Sequence, residues 1–275
     1  MFARIRSCYA AVLLASAMAT GLFFSGAAHA GRSCEEKKPS LQTIERGLAL
    51  AERTLNALDV SGHKVVVLAR AGQDLSKYGV RYSHLGFAYR QPDGKGGHVW
   101  RVLHKLNHCG TSVAALYRQG LGEFFLDDLW RYEAAFVPLS PQAQAQLLEL
   151  LQERRQSVRM HHKPYSIVSY AWGRQYQQSN QWAIETLAAA LEPSIESREQ
   201  AQAWLQFRGY RPSVLRLGPL TRLGGRMTAA NVAFDDHPFE KRFSDRIETV
   251  TVDSVFSWLE RSGLGGLPVI VKLQP

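Results

Sequence analysis

The chain has 275 residues and a formal net charge of +9 at pH 7, and 45% of its residues are hydrophobic. This length is enough for one large domain, or for one domain with an appendage. The basic residues are spread along the chain and accompany no basic–aromatic motif, which argues against nucleic-acid binding. The positive charge instead favours anionic surroundings, such as phospholipid head groups or wall polymers.

The N-terminus has the features of a cleavable signal peptide. Arg4 and Arg6 precede an uncharged, largely apolar run over residues 9–24, and small residues lead to a predicted cut after Ala30. The apolar run is shorter than the roughly 20 residues that a membrane-spanning helix needs, which disfavours an uncleaved anchor. The sequence therefore predicts a mature protein that is periplasmic or secreted.

Two cysteines remain after the predicted cleavage. Cys34 and Cys109 form an even pair in an oxidising compartment, so a disulfide between them is the simplest prediction. The alternative is that Cys109, close to His104 and His108, is a nucleophile. An exposed free thiol would be at risk of oxidation in that compartment. A lipid-attachment site at Cys34 is disfavoured by the arginine at position 32.

Hydrophobic periodicity predicts the first half of the chain. Residues 42–60 form a predicted amphipathic helix with Ile44, Leu48, Ala51, Leu55 and Leu58 on one face. A buried strand over 64–70 and a β-hairpin follow. The hairpin has strands over 82–90 and 98–106 around a turn over 91–97, which is rich in Pro, Asp and Gly.

The second half predicts helices and strands in mixed order. Ser140 as the N-cap and Pro141 at the first position begin a helix that reaches about residue 155. The remaining predictions are a short helix over 111–119, strands over 132–139, 165–170 and 247–252, a polar loop over 173–178, helices over 179–191, 197–207 and 255–261, and an irregular segment over 210–226.

This order gives an α+β class, because helices and antiparallel hairpins alternate without a parallel βαβ pattern. We expect an antiparallel sheet with packed helices. The predicted organisation is a signal peptide over 1–30, an N-terminal helical segment over 31–61, a core over 62–192, and a C-terminal extension of the same domain over 193–275.

Three polar residues lie where a core would not place them. His84 is in the middle of the first hairpin strand, His104 lies on the returning strand, and Ser179 begins a helix. A hydroxyl at a helix N-terminus is near backbone amides that stabilise negative charge. A histidine on a neighbouring strand could take its proton, and a second histidine could orient the first. Taken one by one, the histidines are also explained as structural, and Ser179 as a helix N-cap.

The order of these residues resembles the circularly permuted papain-like group, which includes NlpC-type peptidases and lecithin:retinol acyltransferase-like enzymes. In that group a histidine strand and a hairpin with a second polar residue precede a helix that begins with cysteine. An aromatic residue follows the cysteine by three positions. Here His84 matches the base, His104 the third residue, Ser179 the cysteine and Trp182 the aromatic residue. The resemblance covers about residues 62–192 and implies a permuted papain-like core.

The whole chain more closely resembles an uncharacterised family of exported bacterial proteins, a domain of unknown function. The segments that carry this likeness are 82–86, 176–182 and 233–238. It implies a compartment and a shape rather than a reaction.

Serine in place of the group's cysteine leaves two hypotheses open, because a hydroxyl is a weaker nucleophile than a thiolate. One is an exported amide or ester hydrolase or acyltransferase acting on a wall peptide or lipid, with Ser179, His84 and His104 as the catalytic residues. The other is a catalytically inactive binding module of the envelope. Neither hypothesis calls for a metal or cofactor, and contact with a membrane surface fits both. The sequence leaves the oligomeric state open. The predicted pocket residues are Tyr82, Trp172, Tyr176, Asn180 and Trp182.

Overall fold

A computed structural model describes residues 38–127 and 129–273 of the chain. The described helices are α1 (Leu41–Val60), α2 (Leu121–Phe125), α3 (Pro141–Gln152), α4 (Arg154–Val158), α5 (Ser179–Leu191), α6 (Arg198–Phe207), α7 (Pro219–Thr228), α8 (Phe239–Arg242) and α9 (Val252–Arg261). The described strands are β1 (Val65–Ala71), β2 (His84–Pro92), β3 (His98–Asn107), β4 (Ala114–Gly120), β5 (Arg131–Pro138), β6 (Ser213–Arg216), β7 (Arg246–Thr249) and β8 (Val269–Lys272).

Six strands form one sheet in the order β4-β3-β2-β1-β5-β8, and every neighbouring pair is antiparallel. Strands β6 and β7 form a separate antiparallel ribbon. Helices pack around the large sheet, so the predicted α+β class is confirmed. Among the described residues, no helix is both long and apolar enough to cross a membrane.

The two faces of the sheet bury different helices, and the alternation along β1 shows which side chains belong to each. Val65, Val67 and Ala69 point to one core with α3, α5, α6 and α9, which we call the α5 face. Val66 and Leu68 point to a second core with α1 and α2, which we call the α1 face. Because both faces are covered, the middle strands are buried on both sides.

Helix α5 lies at the centre of the larger core. Its residues from Ser179 to Ala190 are all buried, so it has no solvent-facing side. Gln178 precedes it as the N-cap and accepts a hydrogen bond from the backbone of Asn180. Ser179 is therefore the first residue of the helix, and the alternative prediction that it is the N-cap is wrong.

Several predicted elements are confirmed, and others are corrected. Helices α1, α3, α5 and α6 lie where the periodicity and the capping residues predict them. The predicted helix over 111–119 is instead strand β4, which pairs with β3 along seven positions. A short apolar run does not distinguish the two structures, and here sheet pairing decides. Residues 165–170 are irregular, with a turn at 167–168, rather than a strand.

The segment over 210–226, predicted as irregular, contains β6 and α7. The predicted strand over 247–252 is shorter and earlier, because β7 ends at Thr249 and α9 begins at Val252. Beyond residue 193, helices α6 and α9 join the larger core, and β8 extends the main sheet beside β5.

The buried face of α1 is also rotated relative to the prediction. Leu48 and Leu55 are exposed, whereas Gly47, Leu50 and Thr54 are buried together with the predicted Ala51 and Leu58. The reason is a close approach at Gly47, where a Cβ would lie 2.9 Å from the carbonyl oxygen of Phe125. The helix turns its small residue toward α2 and leaves two leucines outside.

Candidate functional site

The structure brings the two predicted histidines together. His84 and His104 are both buried, and His84 Nε2 lies 2.9 Å from His104 Nδ1. The other ring nitrogen of His104, Nε2, lies 2.7 Å from the amide oxygen of Gln119 on the neighbouring strand β4. The three side chains therefore form a continuous hydrogen-bonded row across β2, β3 and β4.

The row fixes the tautomer of each ring. An amide oxygen only accepts hydrogen bonds, so His104 Nε2 carries a proton and donates it to Gln119. In neutral His104 the Nδ1 atom then accepts, and His84 Nε2 is the donor. His84 Nδ1 is left as the ring nitrogen that could take a proton.

Both histidines are held neutral. Burial and then the charge of Arg70 keep the pKa of His84 well below its usual value. The same two causes lower the pKa of His104 to about 4, although the hydrogen bond to Gln119 opposes the shift. A base with such a low pKa has little driving force to take a proton at neutral pH.

An arginine and an aromatic ring pack beside the two histidines on the α1 face. Arg70 is buried, forms an ion pair with Asp127 and donates to the carbonyl of Phe124. Its guanidinium lies 4.6 Å above the ring of Phe124, which itself lies 5.2 Å from the ring of His104. The positive charge of Arg70 makes protonation of either histidine less favourable, because like charges repel.

Ser179 lies on the opposite side of the sheet. His84 is paired in register with Arg70, and both belong to the α1 face. Helix α5, which begins with Ser179, packs on the α5 face. The described residues therefore assemble the predicted base and its orienting residue but do not bring Ser179 to them.

The predicted pocket residues lie in three different surroundings. Tyr82 and Asn180 line a cavity described below. Trp182 is fully buried against Phe87, with 5.8 Å between the ring centres. The remaining two are half-buried elsewhere: Trp172 packs edge-on against Tyr210, and the Tyr176 hydroxyl donates to Asp235.

The cavity has a volume of about 770 Å³ and lies between the loop over 72–83, the N-terminus of α5, and the segment from β6 to β7. Apolar side chains form most of its wall, including Val80, Ile167, Val168, Val232 and Phe234. The volume is within the range that small-molecule sites use. Neither His84 nor His104 is among the lining residues.

One wall of the cavity is polar and rigid. The Gln178 side chain donates to the Thr249 hydroxyl at 2.9 Å and to the carbonyl of Val250. The Asn180 side chain accepts from the backbone of Leu85 at 3.1 Å and donates to Val250. These bonds tie the start of α5 to β2 and β7, so the wall is formed before any ligand enters.

A buried cluster of charged side chains, which the sequence does not predict, lies near Ser179. Lys105 on β3 is fully buried and donates to the Gln177 side chain at 2.7 Å, and Gln177 in turn donates to Glu185. Glu185 is also bound by Arg198 and Gln202 from α6. Burial and then the charge of Arg198 lower the pKa of Lys105 to about 7. A lysine in the middle of an apolar strand was the available signal.

The predicted disulfide and the signal peptide depend on residues that lie outside the described ranges. Cys34 and residues 1–30 are among them, whereas Cys109 lies exposed in the turn after β3. The disulfide and the thiol hypothesis for Cys109 both stay predictions. Across residues 38–127 and 129–273, no group of three or more His, Cys, Asp or Glu side chains is arranged to hold a metal ion.

Comparison with known proteins gives one family. Residues 57–259 match the bacterial family DUF2145, described as an uncharacterised protein conserved in bacteria. No curated protein and no solved structure matches the chain. The match includes the histidine row, the whole of α5 and the cavity walls.

Proposed function

Because this chain belongs to the conserved bacterial family DUF2145, whose match spans the cavity, we propose that it is an exported binding module of the cell envelope that takes an apolar ligand. The ligand class that fits is the acyl portion of a lipid. The observation that carries the proposal is the cavity of about 770 Å³ with mostly apolar walls and a preformed polar side. Export is part of the proposal and depends on the predicted signal peptide.

The chemistry of the wall supports a lipid over a wall peptide. A peptide would need its backbone groups matched by donors and acceptors, but Gln178 and Asn180 already use theirs on Val250 and Leu85. An acyl chain makes no such demand, and burial of its methylene groups is favourable. The hydroxyl group of Thr221, also on the wall, remains suited to a single polar head, whereas that of Thr251 is already bonded to Ser213 and to the backbone of Ser254.

A fluorescent fatty acid such as cis-parinaric acid tests the proposal. Val168 lines the cavity, so Val168→Trp should fill part of it and weaken binding by about tenfold or more, because the loss of two buried methylene groups of the ligand, at about 0.8 kcal/mol each, corresponds to that factor. Val158→Trp, at an exposed position outside the cavity, is the matched control and should bind like the parent. Circular dichroism verifies that both variants fold, and Leu215→Trp repeats the test from another wall. Equal binding by the parent and both cavity variants would refute the proposal.

The histidine row favours a second candidate, an amide or ester hydrolase or acyltransferase of the permuted papain-like type. His84 and His104 have the base-to-orienter contact that such a mechanism needs. The low pKa of His84 and its separation from Ser179 weigh against this candidate. A chromogenic ester offered to the same preparations distinguishes the two. Turnover that is lost in both His84→Ala and Ser179→Ala would favour the enzyme.

A further inference from the structure

Helices α7 and α8 expose an unusual amount of apolar surface. Leu220, Leu223 and Met227 on α7 are 84%, 56% and 77% exposed, and Phe239 and Phe243 at α8 are 77% and 72% exposed. Side chains this large are normally covered when they occur as a group. We call these five side chains the α7–α8 surface.

The two helices that carry the five side chains are bonded to each other. The Arg222 side chain on α7 donates to the carbonyl of Arg242, the last residue of α8, and to that of Ser244, two residues beyond it. The spacing of the three α7 residues, at positions i, i+3 and i+7, places them in one stripe along the helix. The rings of Phe239 and Phe243 lie 5.2 Å apart.

Unpaired cations border the α7–α8 surface. Arg216 and Lys241 are neutralised by Asp245 and Glu248. Within the described ranges, Arg226, Arg242 and Arg246 take part in no ion pair.

The nearby acids do not cancel these cations. Asp235 and Asp236 point away, toward Tyr176 and the backbone of Tyr170, which leaves Glu240 as the exposed acid of this region. The border of the surface therefore carries net positive charge.

We propose that the α7–α8 surface docks on an anionic phospholipid bilayer. Leucine, methionine and phenylalanine side chains beside arginines are the composition of helices that lie in the membrane interface. Anionic head groups would neutralise the unpaired arginines while the apolar side chains enter the acyl boundary. Charge complementarity thus selects a bilayer as the occupant rather than a second copy of this chain, whose own surface here is positive.

Helix α7 separates the α7–α8 surface from the cavity. Thr221 and Gly225 on α7 line the cavity, whereas Leu220, Leu223 and Met227 on the same helix face solvent. A bilayer bound to the outer side would therefore lie one helix away from the cavity. The docking itself does not depend on the cavity being a lipid site, so each proposal can fail without the other.

Vesicle co-sedimentation with the full chain tests the docking. Binding is expected to vesicles that contain phosphatidylglycerol, to be much weaker with phosphatidylcholine alone, and to fall as salt is added. Arg226→Glu combined with Arg242→Glu should lower the partition coefficient by about 30-fold or more, since each basic residue near an anionic surface contributes several-fold. Leu223→Ser combined with Phe243→Ser should lower it by about tenfold or more.

Matched controls lie elsewhere on the surface. Phe207→Ser removes a side chain that is 86% exposed, and Arg159→Glu reverses an exposed charge, so both should bind vesicles like the parent. All variants share residues 1–37, so any contribution of that segment is common to them. Unchanged binding by both double variants would overturn the proposal. A dimer of the parent that dissociates on Leu223→Ser, without vesicle binding, would assign the surface to a second copy and would also overturn it.

Discussion

Gly86 is the residue that makes room for the buried histidine row. A Cβ at this position would lie 2.8 Å from Cβ of His104, 3.0 Å from the carbonyl oxygen of Leu103 and 3.0 Å from a methyl of Val102. Two of these neighbours are buried side chains on the α1 face and the third is strand backbone, so none can withdraw easily. The absence of a side chain at Gly86 lets β2 and β3 approach while His104 remains bonded to His84.

Gly86→Ala should therefore destabilise the fold by about 1–3 kcal/mol, the usual cost of overpacking a core. Gly266→Ala is the control, because its nearest neighbour would lie 3.8 Å away in ordinary contact. Urea unfolding monitored by circular dichroism measures both. Equal midpoints for the two variants would show that the strands can separate at no cost.

The low pKa of His104 makes stability depend on pH in one direction. The folded state keeps the ring neutral to about pH 4, whereas the unfolded chain protonates it near 6.5, so stability is full above 6.5 and is lost as pH falls toward 4. The shift is equivalent to about 3 kcal/mol at about 1.4 kcal/mol per pKa unit.

Unfolding free energies measured from pH 7 to 4 should decline less steeply in His104→Gln than in the parent. Glutamine retains hydrogen-bonding groups toward His84 and Gln119 but does not titrate. An identical slope in parent and variant would exclude His104 as a source of the acid sensitivity.

At the scale of elements, the buried charges join α5 to α6. Glu185 is 1% exposed, and it is held by Arg198, Gln177 and Gln202. Removing one partner of such a group leaves a charge without compensation in a low-dielectric interior. The cluster thus fixes how α6 is placed against the central helix.

Arg198→Met should cost about 3–5 kcal/mol, because Glu185 would remain buried without its cation. Arg174→Met removes an arginine from an exposed ion pair with Glu199, in the same part of the molecule, and should cost about 1 kcal/mol or less. Thermal unfolding of the two variants compares them directly. A similar loss for both would mean that burial does not amplify the Glu185 pair.

Elements with clear boundary signals could be predicted from the sequence, and those that depend on pairing could not. Ser140 and Pro141 begin α3 as predicted, since the serine side chain accepts from the backbone of Ala143. Helix α5 has its predicted bounds. The segment of strand β4 is predicted as a helix because its short apolar run fits both structures. Only the pairing with β3, which the run itself does not reveal, makes it a strand.

At the scale of the whole molecule, the sequence predicted the contact between His84 and His104 but not the face on which it lies. Once the turn of a hairpin is identified in the sequence, its two flanking strands are expected to pair, and this brings His84 near His104. Strand β2, however, is buried on both faces from His84 to Tyr89, so its sequence has no polar side that would reveal the orientation. For the same reason, the sequence does not predict that Ser179 and the histidines lie on opposite faces. The cavity could not be predicted either, because part of its wall comes from the segment over 210–226, which is predicted as irregular.

The main sheet ends on both sides in strands that offer little to a further strand. Strand β8 is four residues long, follows Pro268 and includes the charged Lys272. On the other side, the beginning of β4 already bonds to the segment after α4, since Ala114 donates to the carbonyl of Lys163. Edge-to-edge growth into fibrils is thereby blunted at both ends. Association of this protein with other molecules is consequently directed to its side-chain surfaces, where it can be reversible and salt-dependent.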